Sequence, residues 1–306
     1  MIRKLNFKTI AAGLLLALAA GCGGGSGGSS APAGDGGFSG EIVRVGRQNS
    51  SGTYDYFREA VLGEGREFKL GSSDQSGSKE VVQVVATTPT AIGYSGMGYA
   101  TPDVKMLALS KDGNAPVKPT KEAAMDGSYP LARALYLYTV GEPNANIKHF
   151  LAWAQSAEGQ AIVEEMGYVP IEAVPMTDDA APPDGDVKML GSDTLVNVAQ
   201  RWAEVYTGKY PNVNVQASGG GSGVGINQLI EGTIDIATAS REMKDKERGK
   251  IAEKGLGDVV ETTIGRDALA VYVNKGNPHD TISIKTLAEI FGEDGEITDW
   301  SQVGSE

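Results

Sequence analysis

The sequence predicts an α/β fold, and three observations carry that expectation. From Glu41 onward, strand-like and helix-like runs alternate along the chain. Hydrophobic residues make up 41% and charged residues 22%, enough apolar side chains to bury a core. At 306 residues the chain is long enough for two ordinary domains or one large two-lobed body.

The first elements are an address and a leash. In residues 1–22, Arg3, Lys4 and Lys8 precede an apolar run from Ile10 to Ala20. A membrane-spanning helix needs about 20 apolar residues, so this shorter run fits an export signal. Ala-Ala-Gly-Cys at 19–22 puts the only cysteine, Cys22, at the expected cut. The pattern resembles a bacterial lipobox, whose cysteine is lipid-modified, although Ala19 stands where such boxes prefer Leu. An ordinary signal peptide with a coincidental cysteine is the alternative. Residues 23–40 hold nine glycines in 18 positions and read as a flexible tether. A G-x-S-x-G match at 24–28 has no flanking strand or helix and is set aside.

In the body, strand-like runs fall at 42–45, 91–94, 131–140, 187–190, 213–216, 234–237 and 268–273. Helix-like runs fall at 54–62, 79–86, 147–154, 159–166, 195–206, 226–231, 244–254 and 284–291. Leu195, Val198, Ala199, Trp202 and Val205 are spaced to line one helix face. Residues 171–186, rich in proline and aspartate, interrupt the alternation and read as a bridge linker. Trp153, Trp202 and Trp300 are expected in the core or an interface.

Charge and composition exclude several functions. Acidic residues number 39 against 27 basic ones, and three of the basic ones lie in the first 21 positions. A body this acidic argues against nucleic acid as a partner. A lone cysteine permits no intrachain disulfide. His149 and His279, the only histidines, lack companions at ligand spacing, so no metal site and no catalytic triad is expected.

Three junctions carry the chemical signal. The run at 187–190 leads into Gly191-Ser192-Asp193-Thr194, and that at 213–216 into Ser218-Gly219-Gly220-Gly221-Ser222-Gly223. The run at 42–45 leads into Gly46-Arg47-Gln48-Asn49-Ser50-Ser51-Gly52-Thr53. A helix follows each loop. A helix N-terminus exposes about four unpaired N–H groups and roughly half a positive charge. Glycine lets an anion approach that backbone, and hydroxyls add donors. Each loop alone could be a capped helix with a tight turn. Three together point to one oxyanion site, with Arg47 as a fixed bidentate donor. None matches a nucleotide-binding loop, and the hydroxyls lack a neighbouring base. A fourth candidate is Ser240, at the end of the run IDIATAS. Arg241 beside it contacts the same ligand, or pairs with Glu242 or Asp245.

These segments resemble the phosphate-binding component of bacterial phosphate ABC importers. The carrying stretches are GSDT (191–194), GGGSGVGINQLIEGTIDIATASRE (219–242), IFGEDGEITDWSQVG (290–304), VGRQNSSGT (45–53), TTPTAIGYSGMGYA (87–100) and SYPLARALYLY (128–138). The resemblance implies a type II periplasmic-binding-protein-like fold, two α/β lobes closing on a ligand. It implies a phosphate site of Arg47, Ser51, Gly52, Thr53, Ser192, Thr194, Ser222 and Ser240, with Asp193, Gly223 and Arg241 as further candidates. Many members carry Asp after that last serine, to accept the proton of hydrogen phosphate. Arg241 replaces it here, which loosens the expected preference for phosphate over sulfate.

The stretches also appear in rotated order, the family's late part preceding its early part, so the fold is expected to be circularly permuted. Lobe A is then 41–100 plus 282–306 and lobe B is 101–281, with crossings near 98–103 and 274–281 and 171–186 as the bridge. Two independent tandem domains are the alternative. The functional expectation is a non-enzymatic lipoprotein, anchored through Cys22 to an extracytoplasmic membrane face. It would be a monomer without cofactor that hands inorganic phosphate to an ABC transporter permease. The rivals are an oxyanion sensor or binding module without transport, and a phosphatase-type enzyme.

Overall fold

The computed structural model describes residues 38–176 and 181–304. The signal run, Cys22 and most of the tether lie outside the described residues. The first half contains β1 (Val43–Arg47), α1 (Gly52–Phe57), β2 (Ser73–Gln75), α2 (Ser78–Thr87), β3 (Ala91–Gly96), β4 (Val104–Met106) and β5 (Ala108–Ser110). It continues with α3 (Lys121–Met125), β6 (Ala132–Val140), α4 (Ala145–Gln155), α5 (Ala157–Glu165) and β7 (Val169–Pro170). The second half contains β8 (Gly185–Gly191), α6 (Val196–Lys209), β9 (Val213–Ser218), α7 (Ser222–Ile230) and β10 (Ile236–Ala239). It ends with α8 (Asp245–Glu253), β11 (Val259–Asn274), β12 (Thr281–Ser283) and α9 (Ile284–Phe291).

One sheet runs through the body in the order β2-β1-β3-β11-β6-β10-β8-β9, with β4 and β7 also pairing with β11. Its two halves repeat one arrangement. β1 lies between β2 and β3, parallel to both, and antiparallel β11 follows β3. β8 lies between β9 and β10, parallel to both, and antiparallel β6 follows β10. The loops leaving β1, β8, β9 and β10 therefore all start at the carboxyl ends of parallel strands, where open α/β sheets hold ligands.

Each half has its own core on both sheet faces. In the first lobe, Ile42, Phe57, Ile92, Leu287, Phe291 and Trp300 fill one face, and Val45, Val81, Val85, Ala270 and Tyr272 the other. In the second lobe the corresponding sets are Leu137, Phe150, Trp153, Val187 and Trp202, and Tyr138, Ile226 and Ala237. The fold is a two-lobed α/β periplasmic-binding-protein fold. All three tryptophans are buried. On α6 the apolar stripe is Val198, Ala199, Trp202 and Tyr206; Val205 sits at its half-buried edge.

Several boundaries differ from the sequence reading. Leu107, Leu109, Ala124, Tyr129 and Leu131 share the core of Ile42 and Phe291. The outgoing crossing therefore lies at the start of β6, later than residues 98–103. The return crossing lies inside β11, whose Ile264 packs in the second lobe and Leu269 in the first, earlier than 274–281. β11 spans 16 residues rather than the six of 268–273, because its first part is mostly exposed and carries no apolar run. The stretch 54–62 divides into α1 and a π-helical turn, Arg58–Leu62. The 171–186 bridge is shorter than expected, since β8 begins at Gly185.

The tether also ends earlier than residue 40. Phe38 packs on Trp300 at 5.7 Å between ring centroids, and the Gly40 carbonyl accepts from the Trp300 N–H at 3.0 Å. Ile42 N–H donates to the Thr298 carbonyl, and Glu41 bridges Asp299. Trp300 thus fastens residues from both ends of the described chain, with its indole N–H on the Thr90 carbonyl at 2.8 Å. Trp300→Ala should cost about 3–5 kcal/mol of stability, measured by urea unfolding.

Candidate anion-binding site

The site is built where loops of both lobes meet. Ser51 caps α1, its Oγ accepting from the Thr53 N–H at 3.1 Å. Across the cleft, the Thr53 and Thr194 hydroxyls share a hydrogen bond of 2.9 Å. Gly52 comes so close to the other lobe that a Cβ there would lie 2.3 Å from Ser222 Oγ and 2.9 Å from Ser240 Oγ. Only glycine lets these loops close on each other. Ser222 Oγ in turn accepts from the Ser240 N–H at 3.2 Å. Gly221, with φ of +103°, turns the chain into α7 and donates its N–H to the Gly191 carbonyl at 2.8 Å. Ser192 is buried beside them, its N–H on the Thr238 carbonyl.

At the centre is a residue that the sequence reading left without a role. Arg133, on β6 and 4% exposed, donates from Nη1 to Thr53 Oγ1 at 3.1 Å and from Nη2 to Thr194 Oγ1 at 3.2 Å. Nη1 also reaches the Ser240 carbonyl. Asp267, its register partner on β11, accepts from Nε and Nη2 at 3.0 and 2.8 Å. Burial pushes the Asp267 carboxyl above its usual range, while Arg133 and the Met97 N–H pull it back. The available signal was a charge inside the apolar run LARALYLYTV.

The other predicted residues divide. Ser51, Gly52, Thr53, Thr194, Ser222 and Ser240 converge around Arg133. Ser240 Oγ is buried without a hydrogen-bond partner, a donor and acceptor of the kind that an enclosed oxyanion uses. Arg47 is fully buried and places Nη1 and Nη2 on Asp193 Oδ2 at 2.7 Å, Ser78 Oγ at 3.0 Å and the Ser76 carbonyl, leaving Nε without a hydrogen-bond partner. Burial lowers its pKa, and Asp193 opposes that. Asp193 also accepts from Gln48 and from the Gly220 N–H, so it ties loops together. Gly223 donates its N–H to the Ser50 carbonyl across the cleft. Arg241 is turned onto Asp55 and Glu247; of the partners considered from sequence, neither the Glu242 nor the Asp245 carboxylate is used, and only the Glu242 carbonyl accepts from it.

Hydroxyls and guanidiniums closing between two α/β lobes at strand carboxyl ends define a binding protein of the periplasmic type. The sequence profile described as a PBP superfamily domain matches residues 29–158 and 177–306. The chain belongs to this family. It is 33% identical over 274 residues to "Phosphate-binding protein PstS 2" of Streptococcus agalactiae, covering 86% of this chain and 88% of that one. The Streptococcus pneumoniae protein of that name is 28% identical over 272 residues, covering 87% and 88%. A crystal structure of a phosphate-binding protein of a phosphate ABC transporter from Streptococcus pneumoniae superposes with a TM-score of 0.65 at 27% identity. It covers 87% of this chain and 100% of its own.

Gly52→Ala tests the closure geometry. A helix tolerates alanine at its first position, so the fold should survive with unchanged circular dichroism. Its Cβ should keep the lobes apart, read as a larger radius of gyration by X-ray scattering; an unchanged radius would reject the close approach.

Proposed function

We propose that this protein captures inorganic phosphate between its lobes and delivers it to the permease of an ABC transporter. The observation that carries this reading is the convergence of three loops on Arg133, with Ser222 of a fourth joined through the Ser240 N–H and the buried Ser240 hydroxyl unpartnered. The names of the relatives support phosphate as the anion. Binding fits better than catalysis, because the Thr53, Thr194 and Ser222 hydroxyls are engaged by each other, by Arg133 and by backbone rather than by a base. Arg47 and Asp193 act here by holding the loops in register, and Ser192 and Gly223 by completing them.

Arg133→Met should weaken phosphate binding at least tenfold, since a charge-assisted hydrogen bond is worth about 1.5–3 kcal/mol. Arg47→Ala should also lose at least tenfold. Calorimetry showing wild-type affinity in either variant would remove that residue from the site, and sulfate competing equally with phosphate would refute the anion assignment.

The location and the chain order belong to the same proposal. Cys22 is lipid-modified and holds a monomeric body at an extracytoplasmic membrane face; no helix among the described residues is long and apolar enough to cross a membrane. Cys22→Ala should move the protein from the membrane to the soluble fraction, and unchanged partitioning would refute the anchor. The chain order is a circular permutation in this proposal, a reading supported by the rotated order of the resembling stretches and by the Glu41–Asp299 bridge, which seats the two ends of the described chain side by side. A variant that joins residue 304 to residue 41 and opens the chain within 177–180 should fold and bind phosphate; failure to fold would favour the present order as native to the fold.

A further inference from the structure

Two ion pairs join the lobes beside the anion site, with opposite polarity. Arg47 of the first lobe meets Asp193 of the second at 2.7 Å. Asp55 of the first lobe meets Arg241 of the second at 2.8 Å, and Lys244 Nζ reaches the other Asp55 oxygen at 2.8 Å. The second pair has a particular construction. Arg241 is anchored within its own lobe: Nη1 and Nη2 hold both Glu247 oxygens at 2.9 and 2.7 Å, and Nη1 also holds the Glu242 carbonyl. Glu247 is itself fixed by the Lys244 N–H at the start of α8. Only Nε, with Lys244, reaches across the cleft. Burial works against the Arg241 charge, but Glu247 and Asp55 outweigh it and hold the pKa above its usual value.

This construction makes the contact reversible. When the lobes part, Arg241 keeps Glu247 and is not left as an uncompensated buried charge, which would be costly. Asp55, on α1, regains water. The contact also acts next to the anion: Asp55 follows Thr53 by two residues, and Arg241 follows Ser240 directly. With both carboxylates engaged, its guanidinium is neutralised and is not aimed at the anion.

We propose that Arg241 is a positioning residue which, through Asp55, latches the closed lobes and sets how slowly the bound anion leaves. The latch adds to the closed state after capture, so it governs release rather than association. This rests on the reading that phosphate binds in the cleft.

The test uses the full-length protein with inorganic phosphate. Calorimetry gives Kd, phosphorus NMR exchange gives the off-rate, and their ratio gives the on-rate. Asp55→Asn should raise the off-rate about tenfold, as expected for loss of a charge-assisted contact, with the on-rate changed less than about twofold. Arg241→Lys should show a smaller rise, because lysine keeps the charge without the fork. The Asp55→Asn/Arg241→Gln double variant should release no faster than Asp55→Asn alone, since both act through one contact. An unchanged off-rate in Asp55→Asn, a loss confined to the on-rate, or additive effects in the double variant would overturn the latch while leaving phosphate binding intact. Absence of phosphate binding by the wild-type protein would overturn the functional reading and the latch with it.

Discussion

The buried Arg133–Asp267 pair is the constraint on which the rest depends. Both residues sit where β6 and β11 pass between the lobes, in register with each other. A buried guanidinium without a carboxylate would be prohibitively costly, and Asp267 removes that cost within the sheet. The remaining donors then point at hydroxyls contributed by each lobe, Thr53 from one and Thr194 from the other. One side chain on a crossing strand therefore reads the position of both halves.

The same logic repeats outward. Arg47 has Asp193, and Arg241 has Asp55 and Glu247. Each buried guanidinium at the cleft carries its own carboxylate, so in the proposed function an anion is held by directed hydrogen bonds more than by a surplus of positive charge. That is how an acidic protein, with formal net charge −12, can present an oxyanion site. Enclosed hydrogen bonds from charged and hydroxyl donors are strong where water is excluded, whereas a positive surface would have acted mainly on encounter rate.

Much of this was legible in the residues. Alternating runs, the three tryptophans and the Gly/Ser/Thr loops all marked elements that the structure places as expected, because each has a local signature. The crossings were not legible. Their position depends on which side of the cleft Leu107, Leu109 and Leu131 pack, and apolar periodicity does not encode that. β2 and β4 have three residues each, too few to establish a period, and β2 contains no apolar residue. Arg133 was hidden because its meaning comes from Asp267, 134 residues away. Arg241 was seen but ambiguous; Asp55, 186 residues distant, decides its partner.

The most direct measurement is a crystal structure grown with arsenate, a phosphate analogue that anomalous scattering locates without bias. The account predicts one arsenic peak between the lobes, within hydrogen-bonding distance of Arg133, Thr53, Thr194 and Ser240. A peak elsewhere on the protein, with these four residues bonded only among themselves, would contradict it.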